Sequence, residues 1–414
     1  MSSTALWFAV VLSYVIQTRG FSHIQSRTFL SNLKAPAKAT ADAAAQAAQA
    51  AQESYGTKTL TVYLTFIYFA SWLLVLPLSR LWKDDAKPLL PLENSIASNS
   101  SLSLDHDEDD EIDNVIDTVT VDNLLENEGK QEEFSLLSVA TAKYVAKLSI
   151  LAVLAVVNIF TYNMALSLSP AFDVALIENT SIFEIVTLLY GVCNISRKNY
   201  VFRNFFVMMV ALIGILIVSY TKATCDLLAG KLSINQDTGE VNDPFLFDRL
   251  KGGLICGLGA LTMGPFAVLW NRWFTAKGAM RTTLAQQSQH LGLIGCISML
   301  MLLPFLPALS TSNDYISLLY TDKSFWLTIM GSIIFGILPN LLSLIQLNRT
   351  APPEYITTCF LGIIIFMGLA DWVTEPTQTM IVRWEVIGYL MLAISCVTLS
   401  YTLGERKKKF SLSL

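Results

Sequence analysis

Between Lys147 and Asp173 lie 25 residues without a charge, and beyond the pair Ser169-Pro170 the apolar pattern continues to Val192. A bilayer core takes about 20 helical residues to cross. The stretch from Leu148 to Val192 therefore predicts a transmembrane helical hairpin, hinged at Ser169-Pro170, with Asn158 on its first arm and Asp173, Glu178 and Glu184 on its second. An ionisable group at membrane depth costs about 2.5 to 3.5 kcal/mol even on the lenient insertion scale, so such acids line a pathway or meet a partner.

Composition carries the same reading to the whole chain. Of 414 residues, 53% are hydrophobic and only 15% charged, with a mean hydropathy of +0.50; a soluble domain carries about 25% charged residues. This is the composition of a polytopic membrane protein. The net charge of -5 conceals an asymmetry, because residues 84–133 hold 16 acids and 2 bases, leaving 26 bases and 17 acids elsewhere. The six cysteines are scattered without CxxC spacing, so neither a disulfide framework nor a metal site is expected. No cofactor motif is visible.

Charge-poor segments at about 1–18, 60–82, 148–168, 171–192, 204–221, 252–270, 282–306, 325–347, 355–370 and 386–404 predict ten transmembrane helices. The first is a retained span or a signal; the basic n-region of a signal and an A-x-A-like cleavage site are both missing, which favours the span. Residues 1–82 hold the first two helices with an Ala-rich connector, and 83–137 form an acidic cytoplasmic loop too charged for a core and read as disordered. The rest of a first repeat spans 138–221, a lumenal loop 222–251, a second repeat 252–404 and a basic cytosolic tail 405–414. With a cytosolic N-terminus, 17 Lys and Arg fall inside against 11 outside, which places both termini and the acidic loop in the cytosol. Two dileucines follow acids in that loop, Leu89-Leu90 and Leu136-Leu137, at the spacing that sorting adaptors read. They suit a protein of an endomembrane: vacuole, Golgi or endosome. Gly253 and Gly257 form a small-xxx-small pair suited to close helix packing.

Asn158 precedes Pro170 by 12 residues, as Asn340 precedes Pro352, and the two pairs are offset by 182; Ser219-Tyr220 recurs as Ser400-Tyr401 at an offset of 181. The matches fall at equal places in two five-helix units. An odd number of helices per unit gives the halves opposite topology, and inverted repeats of this kind hold a site near the midplane where the halves meet. The expected fold is thus all-α, ten transmembrane helices as an inverted five-plus-five repeat.

Several stretches now carry a resemblance: Lys147-Leu-Ser-Ile-Leu with Asn158, Ala165-Leu-Ser-Leu-Ser-Pro-Ala-Phe-Asp-Val-Ala175, Thr180-Ser-Ile-Phe-Glu-Ile-Val-Thr-Leu-Leu-Tyr-Gly191, Gly214-Ile-Leu-Ile-Val-Ser219, Thr350-Ala-Pro-Pro-Glu354 and Leu369-Ala-Asp-Trp372. Over about 60–82 and 140–404 the chain resembles the drug/metabolite transporter superfamily, EamA type. Within it the likeness is to the nucleotide-sugar-transporter-like solute carriers of subfamily F and their fungal vacuolar relatives. The resemblance implies a ten-helix carrier with cytosolic termini, working by alternating access.

At about 100° per residue, Asp173, Thr180 and Glu184 fall within about 20° of one line along their helix, with Glu178 about 140° away. That line is a candidate cavity face, and Asn158, Asp173, Glu178, Thr180, Glu184 and Asn340 are the candidate substrate contacts. The alternative is structural: Glu184 pairs with Lys147 across the hairpin, and Asn158 and Asn340 make interhelical hydrogen bonds. His290 is the one histidine in a span, so the clustered His and Asp of a membrane enzyme are not visible and no enzyme is expected. The functional expectation is a secondary transporter moving a small organic solute across an endomembrane, with a cationic, vitamin-like or amine solute favoured by the intramembrane acids. A nucleotide-sugar or other metabolite antiporter of the Golgi or ER is one alternative. A membrane scaffold or receptor using the acidic loop is another.

Overall fold

A computed structural model describes residues 3–25, 60–81, 139–193, 201–228, 244–275, 284–306, 323–374 and 383–411. The acidic loop, the Ala-rich connector and the dileucines at Leu89, Leu90, Leu136 and Leu137 lie outside the described residues. Contacts divide the chain into two units, one made of 1–87 with 148–414 and the other of 88–147. Of the second unit, only the start of one helix belongs to the described residues.

Every described regular element is helical. Helix α1 spans Ser3–Gln25; α2 runs over 60–73 and on through Val75–Leu81; α3 is Val139–Leu168, α4 Ala171–Cys193 and α5 Val201–Leu228. Helix α6 comprises Pro244–Ala260 and, after a short turn, Met263–Trp270 with wide π-helical turns over Asn271–Thr275. Leu284–Leu302 forms α7. Helix α8 is Lys323–Gly331, π-helical turns over Ser332–Ile337, and Leu338–Thr350. Pro353–Thr374 forms α9 and Arg383–Ser411 forms α10.

Eight of these helices are long and apolar enough to cross a membrane, and the chain is a multi-pass membrane protein. The sequence led us to expect ten. The two outside the set, α1 and α4, are helical throughout but carry charge, Arg19 on the one and Asp173, Glu178 and Glu184 on the other.

The proline positions explain both tight hairpins. Proline has no N–H for a helix interior and pushes the residue before it towards extended backbone. Helix α3 accordingly stops at Leu168, with the Ser169 amide closing on Ala165 at 2.8 Å, and α4 starts when Val174 donates to the Pro170 carbonyl at 3.2 Å. The hairpin of α8 and α9 repeats this: Ala351 is extended (φ -123°, ψ 154°), its amide donates to Leu347 at 2.8 Å, and Tyr355 donates to the Pro352 carbonyl at 3.0 Å.

In the larger unit α4 is central, packing on α6 and on α9, and α1 lies against α8 and α9. One apolar cluster joins Leu6 and Val10 of α1 to Leu347, Tyr355 and Cys359; another joins Ile182, Ile185 and Val186 of α4 to Met208 of α5, and Phe360 packs on both. Helices α5 and α10 meet backbone to backbone, since a Cβ on Gly388 would stand 2.9 Å from the Gly214 carbonyl oxygen. Without a hydrophobic drive between helices in lipid, such close approach of small residues supplies the packing energy. Apolar side chains such as Phe202, Phe206, Leu216 and Leu390 are left exposed on the outside, as suits helices in a membrane.

Several helices run further than the charge pattern indicated. A first span ending at Thr18 extends to Gln25, and a span ending at 221 extends to Leu228. The charges that seemed to end them, Arg19 and Lys222, are neutralised inside the bundle by Asp371 of α9.

Candidate functional site

Glu178, and not Glu184, is the acid that the fold turns inward. Placed on α4 against α3 and α6, it is 9% exposed. Asn158 of α3, itself 3% exposed, donates from Nδ2 to Glu178 Oε1 at 3.0 Å and lies 3.1 Å from the Met263 sulfur. The Cys256 thiol stands 4.0 Å from Glu178 Oε2. The hydroxyls of Tyr14 of α1, Tyr68 of α2 and Tyr162 of α3 are all within electrostatic reach of this carboxyl group. Gln17 donates to the Tyr68 hydroxyl at 3.2 Å, and Thr18 shares a 2.8 Å hydrogen bond with Tyr162. A polar interior thus gathers side chains from α1, α2, α3, α4 and α6 around one acid.

The line of Asp173, Thr180 and Glu184 faces α6. Arg249 donates to Asp173 at 2.5 Å, Ile177 lies beside Gly253 and Gly257, where an added Cβ would make only ordinary contact, and a Cβ on Gly264 would collide with the Glu184 carboxyl. Thr180 turns its hydroxyl back to the Ile177 carbonyl at 2.6 Å. Asn340 is half-buried on α8. Lys147 is exposed on α3. His290 lies against the Phe274 ring, with centroids 4.5 Å apart.

Two constellations escaped the sequence. Asp371 binds Arg19 of α1 with one oxygen and Lys222 of α5 with the other, the latter at 2.6 Å, and the Lys222 nitrogen stands 3.6 Å from the centroid of the Phe172 ring. Glu354, buried at the start of α9, accepts from Asn204 Nδ2 at 3.3 Å. Asp371 stood in the sequence as an acid just beyond an apolar run, so its depth was a usable signal; nothing marked Asn204. No group of His, Cys, Asp and Glu suited to a metal ion occurs among the described residues. The interior can accept hydrogen bonds and hold charge.

Residues 1–403 match the family described as ceramide synthase regulators, CSG2. The chain belongs to that family. One relative is the mannosyl phosphorylinositol ceramide synthase regulatory protein CSG2 of Saccharomyces cerevisiae, 56% identical over 418 residues that take in 98% of this chain and 99% of the relative. Membership in the CSG2 family overturns the resemblance to the drug/metabolite transporter superfamily. With it go the readings as an EamA-type solute carrier or nucleotide-sugar antiporter, the small-molecule cargo and the vacuolar transport role. The likeness rested on apolar residues at helical spacing and on Asn and Pro at hairpin positions. Apolar residues at that spacing suit any membrane helix, and Pro is tolerated in membrane bundles, so these features report the medium more than the activity. CSG2 proteins are regulators and not enzymes, as the missing catalytic constellation led us to expect.

Proposed function

We propose that this protein is a membrane-embedded regulatory subunit for a mannosyl phosphorylinositol ceramide synthase, acting through protein contact within and beside the bilayer. The observation that carries this reading is the 56% identity to the yeast regulator across 98% of the chain. Identity spread over nearly the whole length preserves the helix faces along with the fold. The scaffold reading of the acidic segment fits here, because residues 84–133, with 16 acids against 2 bases, offer a surface that a basic partner recognises.

The same proposal includes ten crossings arranged as an inverted repeat, in an endomembrane, with both termini in the cytosol. Support comes from the matched Pro170 and Pro352 hairpins and from paired packing: α4 lies on α6 and α9, and α9, its counterpart, lies on α1 and α4. Charges on α1 and α4 that oppose a crossing are met by Asp371, Arg249 and Asn158.

Expression in yeast cells lacking their own regulator tests the function. Recovery of mannosylated inositol phosphorylceramide, with the synthase co-purifying on the tagged chain, is the expected result. A chain that reaches the membrane in normal amount and restores neither would defeat the proposal.

A further inference from the structure

We infer that the polar interior around Glu178 is a binding site for a protonated primary amine, held as a ligand and not carried across. Two amide oxygens of this interior are buried without a donor. Glu178 meets only an amide and a thiol among its neighbours, and no basic side chain of the described residues pairs with it. Asn158 spends its Nδ2 on Glu178 and on the Met263 sulfur, while its Oδ1 is buried without a donor. Gln17, 2% exposed, spends its Nε2 on the Tyr68 hydroxyl, and its Oε1 is likewise buried without a donor; the Tyr14 hydroxyl has no hydrogen-bond partner either.

A buried acceptor left without a donor costs about 1 to 3 kcal/mol, and an unpaired carboxylate at membrane depth costs more. The missing component is therefore a group with several donors, no acceptor and one positive charge. An ammonium group has three N–H donors and nothing else. A proton on Glu178 would cancel the charge but add a single donor, leaving either the Gln17 or the Asn158 oxygen unmet. A neutral polyol would bring donors without the charge and would add acceptors to a site already rich in them. The wide turns of α8 lie against this part of α1: a Cβ on Gly336 would stand 2.9 Å from the Gln17 Cβ. Such π-helical turns gather at functional sites in membrane and soluble helices alike.

The inference does not depend on the regulatory reading, because binding is measured without a synthase. The full chain in lipid nanodiscs is titrated with octadecylamine, its N-acetyl derivative and the soluble amine spermidine, and occupancy is followed by native mass spectrometry and by the thermal midpoint. Saturable binding of octadecylamine, with N-acetyl-octadecylamine at least ten-fold weaker, is expected for a lipid-borne amine. Equal or tighter binding of spermidine places the source in solution and supports the same site. Glu178→Gln is expected to weaken the amine at least ten-fold and Gln17→Met several-fold, the second variant serving should the first not fold. Failure of every amine to saturate, equal binding of the acetylated compound, or affinity unchanged in both folded variants overturns the inference.

Discussion

Lys222 and Phe172, on α5 and α4, meet with the ammonium nitrogen 3.6 Å from the ring centroid while the same nitrogen donates to Asp371 at 2.6 Å. With Arg19 on the second oxygen of Asp371, one acid ties α1, α5 and α9 together and holds α4 through the ring. Asp371→Asn removes the charge that neutralises both bases. Breaking a fully buried pair costs about 3 to 5 kcal/mol; here the three side chains keep 17 to 30% of their exposure, so we expect a loss of about 2 kcal/mol, discounted for that screening. Thermal unfolding of the purified chain measures it, and a midpoint equal to the wild type would show that the triad holds nothing.

Asn158 and Glu178 give a second test with a sign that distinguishes cause. Asn158→Leu leaves the acid without its amide and is expected to destabilise by about 1 to 3 kcal/mol. Adding Glu178→Leu to the same chain replaces both partners by apolar groups and is expected to recover most of that loss. A double variant no more stable than the single one would assign the damage to packing instead. Circular dichroism melts of the three chains suffice.

Gly388→Val wedges α10 from α5, because the added carbon meets the Gly214 carbonyl oxygen and Val218. Overpacking of this kind costs about 1 to 3 kcal/mol. Gly191→Ala is the control, with open space around its Cβ position, and should leave the midpoint unchanged.

Removing residues 88–133 should leave a folded, membrane-inserted chain, since the helices of the larger unit make their contacts within 1–87 and 148–414. If the acidic segment meets the synthase, mannosylated product falls several-fold at unchanged protein level. Lipid mass spectrometry and immunoblotting on the same cells decide it, and full lipid output would free the segment of any regulatory role.

Apolar length and proline position made much of the fold legible. The hairpins at Pro170 and Pro352 lie where spacing placed them. Helix ends near Arg19 and Lys222 were misjudged because a charge in sequence says nothing of a counter-charge some 150 to 350 positions away, and Asp371 is that counter-charge. The helical wheel separated Glu178 from Glu184 correctly in angle; it could not tell which angle faces the interior, which depends on where α3 and α6 pack. Function was the least legible. Apolar faces suited to lipid are alike in carriers and regulators, so apolar spacing did not distinguish the two.

The first helix draws its fixed points from the end of the chain: Trp7 donates to Thr358 at 3.0 Å, Tyr355 to the Ser3 carbonyl at 3.3 Å, and Arg19 binds Asp371, each across more than 350 positions. During biosynthesis α1 leaves the ribosome while every one of those partners is still untranslated. Those three contacts of α1 therefore form only once the ninth helix has been made, and a chain cut short before Asp371 leaves Arg19 without that counter-charge.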